Sequence, residues 1–395
     1  MHGPDDFDEL IRELQASVPG GEEQAAVVPE TDTFVPSASF DADPQRLERW
    51  LRLLHERRAS DLLLVSGAPA AIRLDGRVMP VGDEPLDGGS IERTVLAALP
   101  AHAVRQFRET GIADASLKLP GAGRFRINLH HERGRAAAAI RALPTEVPRL
   151  ASLRLPPGVE ALTRLARGLV LVGGPTGSGK STTLAAIVEE INRRDRRHII
   201  TIEDPIEYEH PHRLSLVEQV EIGVDAPDFP TALRAALRQA PDVIVVGEMR
   251  DPETMRIALA AAETGHLVLS SVHTTDVAST VSRIADSFPP ERQNTIRQEL
   301  SMGIAAMMTQ ILLPKIGGGR VPAAELLMVS YGARQHIRKN ALQHLHQEIT
   351  ITRKHGSISL EESLARLVRE GLVDRQEALA RAAHPEELER ALREG

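Results

Sequence analysis

Four apolar runs recur between residues 168 and 273 of this 395-residue chain: GLVLVGG, HIITIED, DVIVVGE and HLVLSSVH. Each is continuous rather than alternating, the pattern of strands covered on both faces, and helical patterns separate them. After the first run, Leu184, Ile187, Val188 and Ile191 recur at i, i+3, i+4 and i+7, one apolar face of a helix. The N-terminal side reads differently. A helix is predicted at about Pro44–Arg58, with Leu47, Trp50, Leu51 and Leu54 on its apolar face. DLLLVSGAPAAIRLDGRVMPV then breaks into short hairpin strands at SGAP and DG, a helical patch covers about Ser90–Thr110, and RFRINLHHERGRAAAAIRALP alternates as strands do.

These patterns divide the chain into an acidic arm at 1–43, a small α+β domain at 44–148, a linker at 149–167 containing PPG, and an α/β domain at 168–395. From about Leu300 the chain is expected to be mostly helical, as in LEESLARLVREG and PEELERALRE. In open α/β sheets the binding crevice lies at the carboxyl ends of the strands. Chemistry should therefore gather at Gly174–Ser181, Glu203–Asp204, Glu248 and His273.

The first of these strand ends is GPTGSGKST, which matches the phosphate-loop pattern G-x-x-x-x-G-K-[ST]. Gly174, Gly177 and Gly179 allow backbone conformations that a Cβ would block. The N–H groups of this loop, which also holds Pro175, Thr176, Ser178 and Thr182, can then form an anion nest at a helix N-terminus; Pro175 itself has none to give. Lys180 is expected to reach the β- and γ-phosphates and Ser181 to offer its hydroxyl to Mg²⁺. A glycine-rich turn without a ligand is the alternative. With strand, lysine and helix all in place, the reading is a nucleoside triphosphate, taken as ATP.

DVIVVGE has the character of a Walker B strand in which Gly247 stands where Asp is usual, leaving Glu248 as the terminal acid. A glutamate there suits orientation or deprotonation of a water beside the γ-phosphate; a cap on the next turn is the structural alternative. Glu203 and Asp204 could hold Mg²⁺ through water, although Asp204 before Pro205 also suits a turn. His266 and His273 bracket one strand, so only His273 can face the crevice, and His266 belongs at the opposite edge or toward an adjoining subunit. That separation excludes a shared metal site.

Composition narrows the class. Cys is absent, which removes disulfides and cysteine-based zinc sites. The net charge of −8 is concentrated in residues 1–43, where Arg12 is the single basic side chain among many acids. The body lacks the basic surplus and the aromatics of a nucleic-acid binder, so no nucleic-acid partner is expected. An acidic N-terminus and no long apolar stretch give the expectation of a soluble, cytoplasmic protein. The arm is expected to be disordered, with FDELIREL (Phe7, Leu10, Ile11, Leu14) as either a docking segment or a transient amphipathic turn.

GPTGSGKST, ITIEDPIEYEH, PDVIVVGEMRD and TGHLVLSSVHTTD, in that order, resemble the Walker A, Asp, Walker B and His boxes of the secretion ATPases of type II secretion and type IV pili. In particular the chain resembles the pilus retraction ATPases of the PilT type, from about Ala59 through GGGRVPAAELL to ISLEESLARLVREGLV. The resemblance implies a PAS-like N-terminal domain on a RecA-like ATPase, a homo-hexameric ring, and an inner-membrane platform protein as partner. It also implies that Glu248 is the catalytic base, that His266 and His273 are the His-box histidines, and that Arg126 and Arg141 complete the nucleotide site from the N-terminal domain. Two departures stand out: Lys339 ends GARQHIRK where the family has an acid, and Leu63 replaces a histidine in ASDLLL. The leading reading is a motor for pilus retraction. Pilus extension, secretion, or a regulatory nucleotide-binding ring with little turnover are the alternatives.

Overall fold

The computed structural model describes residues 44–74 and 76–394; the acidic arm and its FDELIREL segment lie outside the described residues. Helix α1 (Pro44–Glu56) opens the N-terminal part, followed by β1 (Asp61–Leu64), β2 (Ala71–Leu74), β3 (Arg77–Pro80), α2 (Gly88–Leu96), α3 (Ala101–Thr110), β4 (Ile112–Leu119), β5 (Gly123–Glu132) and β6 (Arg135–Leu143). The strands form one antiparallel sheet in the order β3-β2-β1-β6-β5-β4. Its core joins Leu47, Leu51 and Leu54 of α1 to Leu62, Leu64, Phe125, Ile127, Leu129 and Ile140. These strands alternate because only one face is covered by helices. On the other face, Arg126 and Arg141 stand opposite each other across β5 and β6.

The second sheet is built from β7 (Gly168–Gly173), β8 (His198–Glu203), β9 (Leu216–Glu221), β10 (Val243–Val246), β11 (Leu267–Val272), β12 (Ile304–Pro314) and β13 (Arg320–Met328). Its order is β13-β12-β7-β11-β10-β8-β9, parallel throughout except for the β12–β13 pair. The continuous apolar runs have a simple cause. Leu169, Leu171, Ile200, Ile202, Ile244, Val246 and Val268 pack into one cluster. Their sequence neighbours Val170, Val172, Ile199, Val243, Val245, Leu267 and Leu269 pack into another on the opposite face. Helix α5 (Lys180–Arg194) follows β7 and contributes Leu184, Ile187, Val188 and Ile191 to the second cluster. Leu150, Leu155, Val159 and Leu162, from the stretch that includes α4 (Val159–Leu162), belong to that cluster too. On the first face lie α6 (Phe229–Ala236), α7 (Pro252–Glu263), α8 (Val277–Asp286) and α9 (Pro290–Gly303).

The expectation of a mostly helical chain from about Leu300 is corrected here. IAAMMTQILLP is β12 and RVPAAELLM is β13, and β12 runs beside the phosphate-loop strand β7. Ala306 to Gln310 are buried without a break, which removes the alternation that would have marked a strand. Helices dominate only afterwards: α10 (Tyr331–Arg338), α11 (Leu345–Ile351), α12 (Leu360–Arg369), α13 (Arg375–Arg381) and α14 (Pro385–Glu394). Two further strands lacked a sequence signal. Both are edge strands: β9 (LVEQVE) is half polar, and β4 (IADASLKL) alternates but fully buries only alanines, a weak mark of a strand.

Candidate functional site

β7 delivers its last residue, Gly173, to a loop that must turn sharply into α5. Gly174 (φ 144°), Gly177 (φ 78°) and Gly179 (φ 89°) take backbone conformations that side chains resist. At Gly174 there is also no space: a Cβ would lie 2.4 Å from the Gln310 carbonyl oxygen. Gly179 caps α5 in the left-handed conformation and no side chain caps the first turn. A helix that begins this way presents free amides and a positive dipole end to an anion.

Thr176, Gly177, Lys180 and Ser181 line a cavity of about 340 Å³. Glu203, Asp204, Glu248 and His273 enter it from the ends of the neighbouring strands, and Arg126 and Arg141 from the N-terminal sheet. The remaining loop residues shape it from behind. Lys180 donates to the carbonyls of Gly174 (2.8 Å) and Pro175 (3.0 Å), Ser178 is buried, and Thr182 turns to Tyr208, 2.9 Å between hydroxyls. His266 does not join this group. It precedes β11 at the other end of the sheet, with Nδ1 3.0 Å from the Ala261 carbonyl oxygen.

Lys180 is only 8% exposed, and this burial lowers its pKa, while the charges of Glu248 and Glu207 pull the other way. Glu203 is held by Thr201 Oγ1 (2.7 Å) and Gln219 Nε2 (3.2 Å), and burial pushes its carboxyl up despite those bonds. Glu248, with 15% of its side chain exposed, is paired through Oε1 with Arg250 at 2.5 Å. Its Oε2 lies 3.6 Å from His273 Nε2. Gly247 explains the departure from the usual Walker B acid. A Cβ there would come 3.2 Å from the Ile202 carbonyl oxygen and 3.4 Å from Glu203 Cα, so the strand end runs against its neighbour.

The two arginines reach the cavity from mid-strand. Arg126 pairs with Asp114 at 3.3 Å and Arg141 with Asp61 at 3.0 Å. Between the sheets lies the segment after β8, DPIEYEH. Arg124, buried, donates to the carbonyls of Ile206 (3.0 Å) and Glu207 (3.4 Å) and pairs with Glu209 at 3.3 Å. Lys118 also reaches Glu209, at 2.6 Å. One loop thus touches the N-terminal sheet, Glu203 through the Glu207 amide, and α5 through Tyr208.

Sequence reading missed Arg250, Glu207, Tyr208, His210, Phe229 and Arg124, all at or beside this cavity except Arg124, which anchors its loop. Arg250 carries a signal, since it follows Glu248 by two residues, and Tyr208 and His210 sit within the quoted Asp box. Gln310, packed beneath the loop, has none. The donor set suits a triphosphate: an uncapped helix start, a buried ammonium and two guanidinium groups. Ser181, Glu203 and Asp204 make an all-oxygen set of the kind Mg²⁺ takes.

The family model described as "Type II/IV secretion system protein" matches residues 118–389. The type IV pilus retraction ATPase PilT of Pseudomonas aeruginosa is 41% identical over 328 residues, 83% of this chain and 95% of that protein. The type IV pilus ATPase PilU of the same organism is 38% identical, covering 85% of this chain and 88% of its own. Among solved structures, the pilus retraction motor PilT with bound ADP superposes with a TM-score of 0.78 at 43% identity, over 86% of this chain and 98% of that one. The Legionella pneumophila ATPase DotB follows the same fold with a TM-score of 0.75 at 27% identity, over 87% and 97%. With a phosphate loop, a terminal glutamate and a shared fold along most of its length, this chain belongs to the type II/IV secretion system protein family.

Proposed function

We propose that this chain is an ATP hydrolase that powers retraction of a type IV pilus, working as a homo-hexameric ring on the cytoplasmic side of an inner-membrane platform protein. The observation that carries this reading is the convergence of Lys180, Glu248, Arg126 and Arg141 on one cavity. Lys180 and the loop amides bind the phosphates, and Glu248 orients and deprotonates the attacking water. Its carboxylate is held in place by Arg250 and faced by His273. Arg126 and Arg141 stabilise charge on the transferring phosphoryl group, so that the N-terminal sheet must be in position for turnover. That requirement converts hydrolysis into movement between the two sheets. Mg²⁺ held at Ser181, Glu203 and Asp204 would neutralise phosphate charge. Among the described residues no helix is long and apolar enough to cross a membrane.

The first test is ATP turnover of the purified protein. Glu248→Gln should lower kcat by roughly a hundredfold or more while leaving ATP binding intact. Equal rates in wild type and variant would remove the motor reading. Deletion of the gene separates the directions: excess pili without surface movement mean retraction, and absent pili mean extension.

A further inference from the structure

Gln310 lies in the middle of β12, 2% exposed, directly beneath the phosphate loop. Its Nε2 donates to the Ser178 carbonyl oxygen at 2.5 Å, and its Oε1 accepts from Thr183 Oγ1 at 2.8 Å. A carbonyl can only accept, so the amide group of Gln310 has one sensible orientation. The contact is close on every side. A Cβ on Gly174 would meet the Gln310 carbonyl oxygen at 2.4 Å, and one on Gly179 would meet Nε2 at 3.1 Å. Gly179 thus makes room for the Gln310 carboxamide, and Gly174 for the backbone of β12 at the same residue.

A trans peptide is planar, with its C=O and N–H pointing in opposite directions. Drawing the Ser178 carbonyl down onto β12 therefore turns the Gly179 N–H up, away from the sheet and toward the side where Lys180 and Ser181 line the cavity. We infer that Gln310 is a positioning residue for nucleotide binding: its carboxamide locks the Ser178–Gly179 peptide so that the Gly179 amide faces the phosphates. This inference rests on the nucleotide reading of the cavity. It explains why a carboxamide is buried in IAAMMTQILLP, where Thr309 is the one other polar side chain and bonds to Glu325 instead. An unlocked peptide could flip and present a carbonyl oxygen to an anion, which repels it. Thr183, bonded to the other end of the carboxamide, keeps Gln310 from turning away.

The test is titration of the full chain with fluorescent ADP, alongside thermal melting without nucleotide. Gln310→Met keeps the volume and removes both hydrogen bonds; Gln310→Glu keeps the acceptor and loses the donor. Both should raise the Kd for ADP by about tenfold or more, the consequence of leaving the Ser178 carbonyl unsatisfied. Thr183→Val, which spares the bond to Ser178, should change it by about twofold at most. The Glu variant carries a further signature. A protonated carboxyl regains an O–H donor, so its deficit relative to wild type should shrink as pH falls, while that of the Met variant stays constant. Wild-type ADP affinity in both Gln310 variants, whatever their melting temperatures, overturns the assignment and leaves Gln310 a packing residue. A deficit equally insensitive to pH in both variants also overturns it. Lys180→Ala serves as the control for the underlying reading: if wild type binds no ADP, or binds it no better than this variant, the nucleotide site itself is wrong.

Discussion

The two sheets supply the same cavity in opposite ways. The parallel sheet brings its chemistry on short turns at strand ends, and its lysine and its two glutamates, Lys180, Glu203 and Glu248, are largely buried and tied down. Lys180 is 8% exposed and bonded to its own loop, and Glu248 is held by Arg250. The antiparallel sheet offers Arg126 and Arg141 from its strands, with 43% and 70% of their side chains exposed, the first resting on exposed Asp114 and the second on largely buried Asp61. One half of the site is preorganised and the other half is adjustable. A site that must open and close each cycle needs that division, since the moving partner has to release its groups without breaking a core.

The sharpest test of this contrast is Arg126→Ala and Arg141→Ala. If these residues act on the phosphoryl group, kcat should fall by roughly a thousandfold, as when an arginine finger is lost. Melting temperature should hardly change, because exposed ion pairs contribute little to stability. A matched loss of melting temperature and rate would return both to a structural role. Arg124 is the converse case, two residues away on the same strand. Being buried with two carbonyls as partners, it should cost roughly 2–3 kcal/mol of stability when changed to Ala; half-exposed Glu209 keeps Lys118 and adds little. Chemical denaturation would measure this, and a loss below about 0.5 kcal/mol would show that the contact between the sheets is not a fixed one.

The smallest expected effect concerns His210. Burial lowers its pKa from 6.5 to about 4, against the weaker pull of Glu189. The unfolded chain binds a proton between those values and the folded chain does not, so stability should fall as pH drops from about 6.5 toward 4. Between pH 7 and 5 this one group accounts for about 2 kcal/mol. His210→Gln should flatten that part of the pH–stability curve. An unchanged slope would place the ring in water.

Much of the parallel sheet was legible because its signals are local. Apolar runs, glycines at required turns and an amphipathic helix lie within short windows, and the run GLVLVGG is β7 but for its last glycine. β12 was not legible because IAAMMTQILLP follows α9 without a break and is built largely from helix formers rather than from the valines and isoleucines that mark the central strands. β4 and β9 were hidden as edge strands, the first fully burying only its alanines and the second half polar.

The sequence by itself determined the phosphate loop, the terminal glutamate and the covered strands between them, because backbone conformation and burial periodicity are written in neighbouring residues. Only the tertiary structure decided that Gln310 sits under that loop, that Arg250 holds Glu248, and that Arg124 and Arg126 face different tasks on one strand. Those relations join residues up to 132 positions apart. They depend on strand order and side-chain direction, which no short window of sequence encodes.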